Sequence, residues 1–221
     1  MKSAEILRPT LVAPPNFSAT YDANGNRIDV SDGPHSVYGI AASNQYKSDW
    51  TGVFQYDNNA NLTWRAGWNF KYDAQNRLVA LDNNSTNVHI RQHYDGLNRV
   101  VARDSNGDIT TNVWDNWDLL EERFSSDAIR RRYLHGAGTN EIVGSFDGPS
   151  FAAAFYFYDG RGNTTHLTNS SNTVIERYTY LVSGQPSYFD GNIGRSSSSV
   201  DNRFLFKGAL YLPAPANTAR P

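Results

Sequence analysis

The chain contains 221 residues, with 20 basic and 22 acidic side chains, a formal net charge of −2 and no cysteine. A charge this close to zero gives no electrostatic reason to expect binding to nucleic acid or to an anionic membrane. Without cysteine, a disulfide-stabilised scaffold and a cysteine-ligated zinc site are excluded. Its 5 Trp, 13 Tyr and 11 Phe are too many for a disordered chain, so a folded protein is expected.

Turn-forming residues are abundant, whereas charged helix formers are scarce. The sequence has 23 Asn, 17 Asp and 17 Gly, against 4 Lys and 5 Glu. Asn, Asp and Gly favour tight turns, while Lys and Glu favour helices. This composition predicts an all-β protein and argues against an all-α or an alternating α/β fold.

The chain divides into three parts in sequence order. Residues 1–18 contain Pro9, Pro14 and Pro15, and we predict an irregular lead-in there. Residues 19–211 are predicted to form a repeat domain, and residues 212–221 a Pro/Ala-rich tail. No signal peptide is visible at the start, and no apolar run is long enough to cross a bilayer, so membrane insertion is not expected.

A short motif recurs through the repeat domain. It consists of Tyr-Asp followed, four residues after the Tyr, by Gly or Asn in four of five copies. Gly and Asn adopt positive φ at low cost, as tight hairpin turns require. A spacing of about 20 residues fits one hairpin per copy. We predict structural roles for the following residues of the motif: Tyr21, Asp22 and Gly25; Tyr56 and Asp57; Tyr72, Asp73 and Arg77; Tyr94, Asp95 and Arg99; Tyr158, Asp159 and Gly162.

Two Asn-Gly pairs, Asn24-Gly25 and Asn106-Gly107, are the strongest hairpin signals. A two-residue loop at Asn24-Gly25 would fix the register of its hairpin. In later copies the same register places Tyr72 and Arg77 on one face, where the guanidinium could lie over the ring. Beyond the motifs, residues 196–199 are predicted to be a flexible serine loop and residues 204–206 a short strand.

These motifs resemble those of the Rhs / YD-repeat family, which includes bacterial Rhs toxins, the C component of Tc toxins and the teneurins. Residues 72–78 and 94–100 match the Tyr-Asp-x-x-Gly-Arg turn of the family, with Asn in place of Gly. Residues 114–122, 156–168 and 202–208 are similar to the terminal part of an Rhs core. The resemblance covers roughly residues 21–208.

The resemblance implies repeated β-hairpins that form a curved strip, a partial Rhs-type shell that would enclose or present an effector. Other YD-repeat chains or an effector or toxin domain are the implied partners. The implied location is secreted or at the cell surface of a bacterium. Family members continue after the position of Gly208 into a self-cleavage motif that this sequence lacks, so no catalytic residue is carried over.

We therefore predict a structural segment that is not an enzyme, with no catalytic residue, metal site or cofactor. The alternative is a cell-surface adhesion module that binds glycans through aromatic side chains. Residues 130–132 are three consecutive arginines, for which we expect cross-strand pairing with Glu121 and Glu122 rather than nucleic-acid binding. The candidate glycan contacts are Trp64, Trp68, Trp114 and Trp117.

Overall fold

The computed structural model describes residues 18–31, 35–41, 43–49, 52–138, 141–181 and 184–210. The chain forms two compact units, Met1–Gln55 and Tyr56–Pro221, which are described separately below. Apart from Ser18, the predicted lead-in and the predicted tail lie outside the described residues. The limits of the repeat domain therefore stay a prediction.

The first unit consists of short antiparallel strands. β1, β2 and β3 form a three-stranded sheet in chain order, while β4 pairs with β5 and β5 pairs with β6. The strands are β1 Ser18–Tyr21, β2 Arg27–Ser31, β3 His35–Val37, β4 Gly39–Ile40, β5 Tyr46–Asp49 and β6 Gly52–Tyr56.

The second unit is one long antiparallel meander. Each strand from β7 to β20 pairs with the next one in the chain, as hairpin-forming sequences do. The strands are β7 Leu62–Arg65, β8 Trp68–Tyr72, β9 Leu78–Asn83, β10 Val88–Tyr94, β11 Val100–Ser105, β12 Asp108–Asp115, β13 Asp118–Phe124, β14 Ile129–His135, β15 Ile142–Asp147, β16 Ala153–Tyr158, β17 Thr164–Thr168, β18 Val174–Tyr180, β19 Pro186–Asp190 and β20 Ile193–Arg195.

This meander is a curved strip of hairpins. The register shifts immediately before Tyr72, Tyr94 and Tyr158, and such β-bulges bend a strand and increase its twist. No α-helix occurs among the described residues. The prediction of an all-β fold built from repeated hairpins is confirmed.

The Tyr-Asp motif forms the same turn in all five copies, which we call the YD turn. The residue four after the Tyr has a positive φ of 81°, 67°, 61°, 66° and 80° in turn. These residues are Gly25, Ala60, Asn76, Asn98 and Gly162. The expectation of positive φ at this position is correct, and Ala60 adopts it without being Gly or Asn.

The loop length was predicted wrongly at Asn24-Gly25. The N–H of Gly25 donates to the Asp22 carbonyl at 3.1 Å, and the N–H of Asp22 donates to the Asn26 carbonyl at 2.9 Å. The loop therefore has three residues, and Tyr21 pairs with Arg27 across a bulge. A tight turn followed by a left-handed residue requires this extra residue, which shifts the predicted register by one.

A true two-residue loop occurs at Asn106-Gly107, as the sequence predicts. Ser105 pairs with Asp108, and the two loop residues have φ of 53° and 90°. Two positive φ values in succession are the signature of the hairpin turn whose twist matches the strands.

Replacing Gly162 with Val is expected to destabilise the second unit by about 1–2 kcal/mol, because a β-branched residue is strained at positive φ. No atom lies within 4 Å of the position that a Cβ would occupy, so the effect reports backbone strain without a clash. Gly162→Asn is the matched control and should cost much less, since Asn76 and Asn98 occupy the same position. Urea unfolding followed by circular dichroism measures both variants, and equal losses would contradict a left-handed turn.

The core of the second unit lies on one face of the strip, beneath a C-terminal segment of residues 198–210. We call this segment the strap and the covered face the strap face. Phe204 and Leu205 of the strap pack with residues of β13 to β19. Those partners are Leu119, Tyr133, Ile142, Tyr156, Leu167, Tyr178 and Tyr188.

The prediction of a strand at residues 204–206 is wrong. Phe204 makes only an isolated bridge with Leu210, and a 3-10 turn spans Phe206–Gly208. Its middle residue, Lys207, has a φ of 53°. The strap thus reverses direction over the strap face, which a continuing strand would not do.

Candidate functional site

The Asp of each YD turn organises the loop through its carboxylate. In the copy at Asp73, Oδ1 accepts the backbone N–H groups of Gln75 and Arg77 at 2.9 and 3.0 Å. Oδ2 accepts the Arg77 side chain at 2.7 Å. Asp22, Asp57, Asp95 and Asp159 repeat this pattern, with Asn26, Asn61, Arg99 and Asn163 as the side-chain donors.

A sixth turn of this type begins at Asn169, where sequence reading found no motif. The Asn169 Oδ1 accepts the backbone N–H groups of Ser171 and Thr173, both at 3.0 Å. Asn172 takes the left-handed position with a φ of 58°. The signal was an Asn followed three residues later by another Asn, without the preceding Tyr.

Hydrogen bonding keeps the YD-turn carboxylates ionised. The hydrogen bond from the Asn61 side chain contributes most to lowering the pKa of Asp57. For Asp73, the hydrogen bond from the Arg77 backbone N–H contributes most to lowering the pKa. The pKa of Asp159 is also lowered, although its partial burial acts in the opposite direction. The charged form of these groups is therefore favoured in the folded state.

Acidification should weaken the YD turns. Because the folded pKa is below the unfolded one, the stabilisation is complete above the unfolded pKa of about 3.9 and is lost as pH falls toward the folded pKa. We expect the free energy of unfolding to fall steadily below about pH 4. The double variant Asp57→Asn and Asp159→Asn keeps the one oxygen that accepts the backbone N–H groups, as Asn169 does, but loses the second acceptor oxygen and cannot titrate. Between pH 7 and pH 2.5, the variant should lose less of its free energy of unfolding than the natural chain, as measured by denaturant unfolding. An unchanged pH dependence would contradict the stabilising role of the ionised YD-turn carboxylates.

Consecutive YD turns are joined to each other along one edge of the strip. The Arg77 guanidinium lies 4.9 Å from the ring centre of Tyr94, and its Nη1 donates to the Asp95 carbonyl at 3.2 Å and to the Asn98 side chain at 3.1 Å. The predicted stacking of Arg77 therefore occurs on the Tyr of the next repeat and not on Tyr72. Guanidinium stacking and hydrogen bonding here link neighbouring turns.

A second series of contacts, hydrogen bonds from ring side chains to backbone carbonyls, also links neighbouring repeats. The polar end of one ring in each repeat bonds the carbonyl of a residue one repeat earlier. Tyr94, Trp114, His135, Tyr158 and Tyr180 provide these rings, and the bonded carbonyls are those of Leu78, Val100, Leu119, Ile142 and Thr164, at 2.7–2.9 Å.

The ring of this series need not belong to a Tyr-Asp motif. His135 takes the position between Trp114 and Tyr158, while Tyr133, two residues earlier, is buried in the core. Burial raises the pKa of Tyr158 to about 12, so its hydroxyl stays protonated and can donate.

The strap is bound to the strip through backbone and side-chain contacts. The Thr164 N–H donates to the Leu205 carbonyl at 3.0 Å, and the Thr164 hydroxyl donates to the Phe204 carbonyl at 2.7 Å. The Tyr156 hydroxyl donates to the Asn202 side chain at 2.9 Å. These partners lie 40 or more positions apart in the chain, so the strap closes long loops when it binds.

A buried ion pair joins the strap to β13. The Arg203 Nη1 donates to the Glu122 carboxylate at 2.8 Å, and both side chains are nearly inaccessible, with 7% and 1% exposure. The Tyr133 hydroxyl donates to the same carboxylate at 3.2 Å. Burial and the Glu122 charge raise the pKa of Tyr133 well above its usual value, so the phenol remains a donor.

A second buried carboxylate, Glu176 on β18, binds the start of the strap. It accepts the Ser198 hydroxyl at 2.6 Å and the backbone N–H and hydroxyl of Ser199 at 2.6 and 2.9 Å. The Tyr178 hydroxyl donates to it at 2.5 Å. Residues 198–199 are thus held by the strip, contrary to the predicted flexible serine loop.

The three consecutive arginines serve both faces of the strip. Arg132 pairs with Glu121 at 2.8 Å, as expected for cross-strand neighbours. Arg131 stands opposite Glu122 in the ladder, but its guanidinium donates to the Val200 and Asp201 carbonyls of the strap at 2.8 and 2.6 Å. Arg130 bonds Asp108 at 2.9 Å.

The tryptophans proposed for glycan contact occupy different environments. Trp64 and Trp68 are half-buried on β7 and β8. Trp114 is half-buried with its indole N–H bonded to the Val100 carbonyl, while Trp117 is 65% exposed. Trp114 and Trp117 line a groove of about 310 Å³.

The described residues contain no cluster of three or more His, Cys, Asp or Glu side chains suited to a metal ion. Within the same residues, no helix is long and apolar enough to cross a membrane.

Comparison with known proteins gives distant sequence similarity to tRNA nucleases. No protein-family model matches the chain. The chain is 25% identical over 203 residues to the tRNA3(Ser)-specific nuclease WapA of Bacillus spizizenii and, also at 25% over 203 residues, to the tRNA nuclease WapA of Bacillus subtilis. Each match covers 87% of this chain, which spans only 8% of the length of either relative.

Solved structures give a weaker likeness. The TcdB2-TccC3-TEV structure matches 88% of this chain and 11% of its own, with 14% identity and a TM-score of 0.40. The Tc holotoxin pore of Photorhabdus luminescens matches 80% of this chain and 14% of its own, with 10% identity and a TM-score of 0.39. Glycan binding by Trp64, Trp68, Trp114 and Trp117 stays a prediction.

The prediction that the protein is not an enzyme is contradicted by these relatives. Both WapA proteins are named as nucleases that act on tRNA. The prediction rested on the absence of recognisable catalytic motifs within the 221 residues of this chain. The chain spans only 8% of the length of the WapA relative from Bacillus spizizenii.

Proposed function

We propose that this chain is the terminal part of an Rhs / YD-repeat shell, in which the curved strip encloses or presents an effector. The observation that carries the proposal is the strap, which buried Glu122 and Glu176 hold against one face of the strip. A strip held in this way has a covered face toward the strap and an opposite face toward solvent. The five YD turns and the similarity to WapA over 87% of the chain support the same assignment.

We further propose that the effector is a toxin and that its activity is that of a nuclease acting on tRNA. This step takes its substrate class from the names of the two WapA relatives. Such a toxin would be secreted by a bacterium and would meet its target in another cell. The partners of the chain would then be the effector polypeptide and further YD-repeat segments of the same shell.

The test is to purify the complete gene product from its source cells and identify every polypeptide region that it contains by mass spectrometry. Limited proteolysis should leave an effector region protected together with the repeat region. After denaturation and refolding, the released effector should cleave tRNA. A preparation with no protected region beyond the repeats, or without tRNA cleavage after release, would contradict the shell or the nuclease proposal respectively.

A further inference from the structure

Arg103 is a buried cation without a partner among the described residues. It lies on β11 with 8% of its surface exposed, and its Nε is fully buried with no hydrogen-bond acceptor. Within the described part of the chain, its guanidinium makes no hydrogen bond and no contact ion pair. A buried N–H donor without an acceptor is costly, because it has lost its hydration without gaining a hydrogen bond in exchange.

The polar side chains opposite Arg103 on the neighbouring strands accept hydrogen bonds from other residues. Its cross-strand neighbours are Gln92 on β10 and Thr110 on β12, and both are buried. The Gln92 Oε1 accepts the Tyr94 hydroxyl at 2.8 Å. The Thr110 hydroxyl oxygen accepts Nη1 of Arg130 at 3.0 Å. Neither neighbour accepts a hydrogen bond from the Arg103 Nε–H.

Charged groups of both signs surround Arg103. Besides its own burial, the charges of Arg203 and Arg130 lower the pKa of Arg103, while Asp201 and Glu122 act in the opposite direction. Glu122 is bonded to Arg203 at 2.8 Å, and the Asp201 carboxylate lies 3.7 Å from Arg130 and 4.0 Å from Arg203. Arg130 also bonds Asp108 at 2.9 Å, so Arg130 and Arg203 each have a contact ion pair whereas Arg103 has none among the described residues.

We propose that Arg103, with Arg130 and Arg203 beside it, is a binding site for an oxyanion. A planar guanidinium fork matches a carboxylate or a phosphate with two parallel hydrogen bonds. The oxyanion is either an acidic side chain of a polypeptide held against the strap face or a free phosphate. Binding of an acidic polypeptide side chain would identify a contact of the proposed shell and therefore rests on the proposed function. Binding of free phosphate does not depend on that function.

Thermal unfolding with and without phosphate tests the site on the full chain. At constant ionic strength, with chloride as the reference, inorganic phosphate a hundredfold above its dissociation constant should raise the Tm by about 5 °C. Arg103→Met should abolish this rise, and without phosphate the variant should be at least as stable as the natural chain. Arg195→Met is the matched control, because Arg195 is an exposed partner of Asp190, and it should keep the phosphate response.

A spectroscopic readout separates binding at Arg103 from a general salt effect. In a ¹⁵N-labelled protein, the Nε–Hε signal of Arg103 should shift in a saturable way with phosphate or with a glutamate-rich peptide, and not with the matching glutamine-rich peptide. A response to phosphate alone assigns a free-anion site, and a response to the acidic peptide alone assigns a polypeptide contact.

If neither probe produces a response that depends on Arg103, the proposal is overturned, whatever the stability of Arg103→Met. A variant markedly less stable than the natural chain, with its phosphate response intact, would also overturn it, since Arg103 would then be structural. Both results are independent of whether an effector copurifies, so the shell proposal is tested separately.

Discussion

Replacing Arg203 with Met should lower the free energy of unfolding of the second unit by about 3–5 kcal/mol, the largest effect expected of any single change. The substitution leaves the Glu122 carboxylate buried with 1% exposure and only the Tyr133 hydroxyl as a donor. An ionised carboxylate in that environment has lost most of its hydration and its counter-charge. Denaturant unfolding followed by tryptophan fluorescence reports this unit, because it contains Trp64, Trp68, Trp114 and Trp117.

Two variants separate the ion pair from packing. The double replacement Glu122→Leu with Arg203→Met removes both charges, and it should recover much of the lost stability because no unpaired charge remains. Arg195→Met breaks the exposed pair with Asp190, where each side chain is about half exposed, and should cost less than about 1 kcal/mol. If Arg203→Met were no worse than Arg195→Met, the buried pair would not be what binds the strap.

Leu205→Ala should destabilise the same unit by about 2–5 kcal/mol through the cavity that it leaves. Leu205 has no exposed surface and sits in the core cluster with Leu167 and Ile142. Because its backbone carbonyl also accepts the Thr164 N–H, loss of packing there should loosen the strap before the strip unfolds.

Limited proteolysis distinguishes that local opening from global unfolding. In Leu205→Ala, cleavage within residues 196–201 should become faster at denaturant concentrations where circular dichroism still reports an intact sheet. Leu97→Ala is the matched control, since Leu97 is 56% exposed in a loop, and it should change neither measurement appreciably. Simultaneous loss of the strap and the sheet in Leu205→Ala would show that the two are not separable.

Local turn chemistry was predictable from the sequence. Positive φ at Gly25, Asn76, Asn98 and Gly162 followed from residue types that tolerate it, and the strands between turns followed from composition. The register was not predictable, because two-residue and three-residue loops around an Asn-Gly pair differ by one bulged residue. That single residue decides whether Arg77 meets the Tyr of its own repeat or of the next.

The strap site could not have been predicted by reading periodicity. The partners Glu122 and Arg203 are 81 positions apart, and no local pattern marks Glu122 as different from its neighbour Glu121. Glu121 pairs with Arg132 as a cross-strand neighbour, whereas Glu122 points to the opposite face. Serine-rich composition also misled at Ser198 and Ser199, because a buried acceptor on another strand orders them.

The contacts between YD turns suggest how a wall of this kind could change its length during evolution. The YD turn at Asp73 bonds the copy directly after it, since Arg77 donates to Asp95 and Asn98. Duplication or deletion of one complete hairpin pair upstream of β10 would leave every remaining junction with an equivalent neighbour. Phe204 and Leu205 of the strap pack on β13 to β19, so gains or losses within those strands would remove the surface that the strap covers.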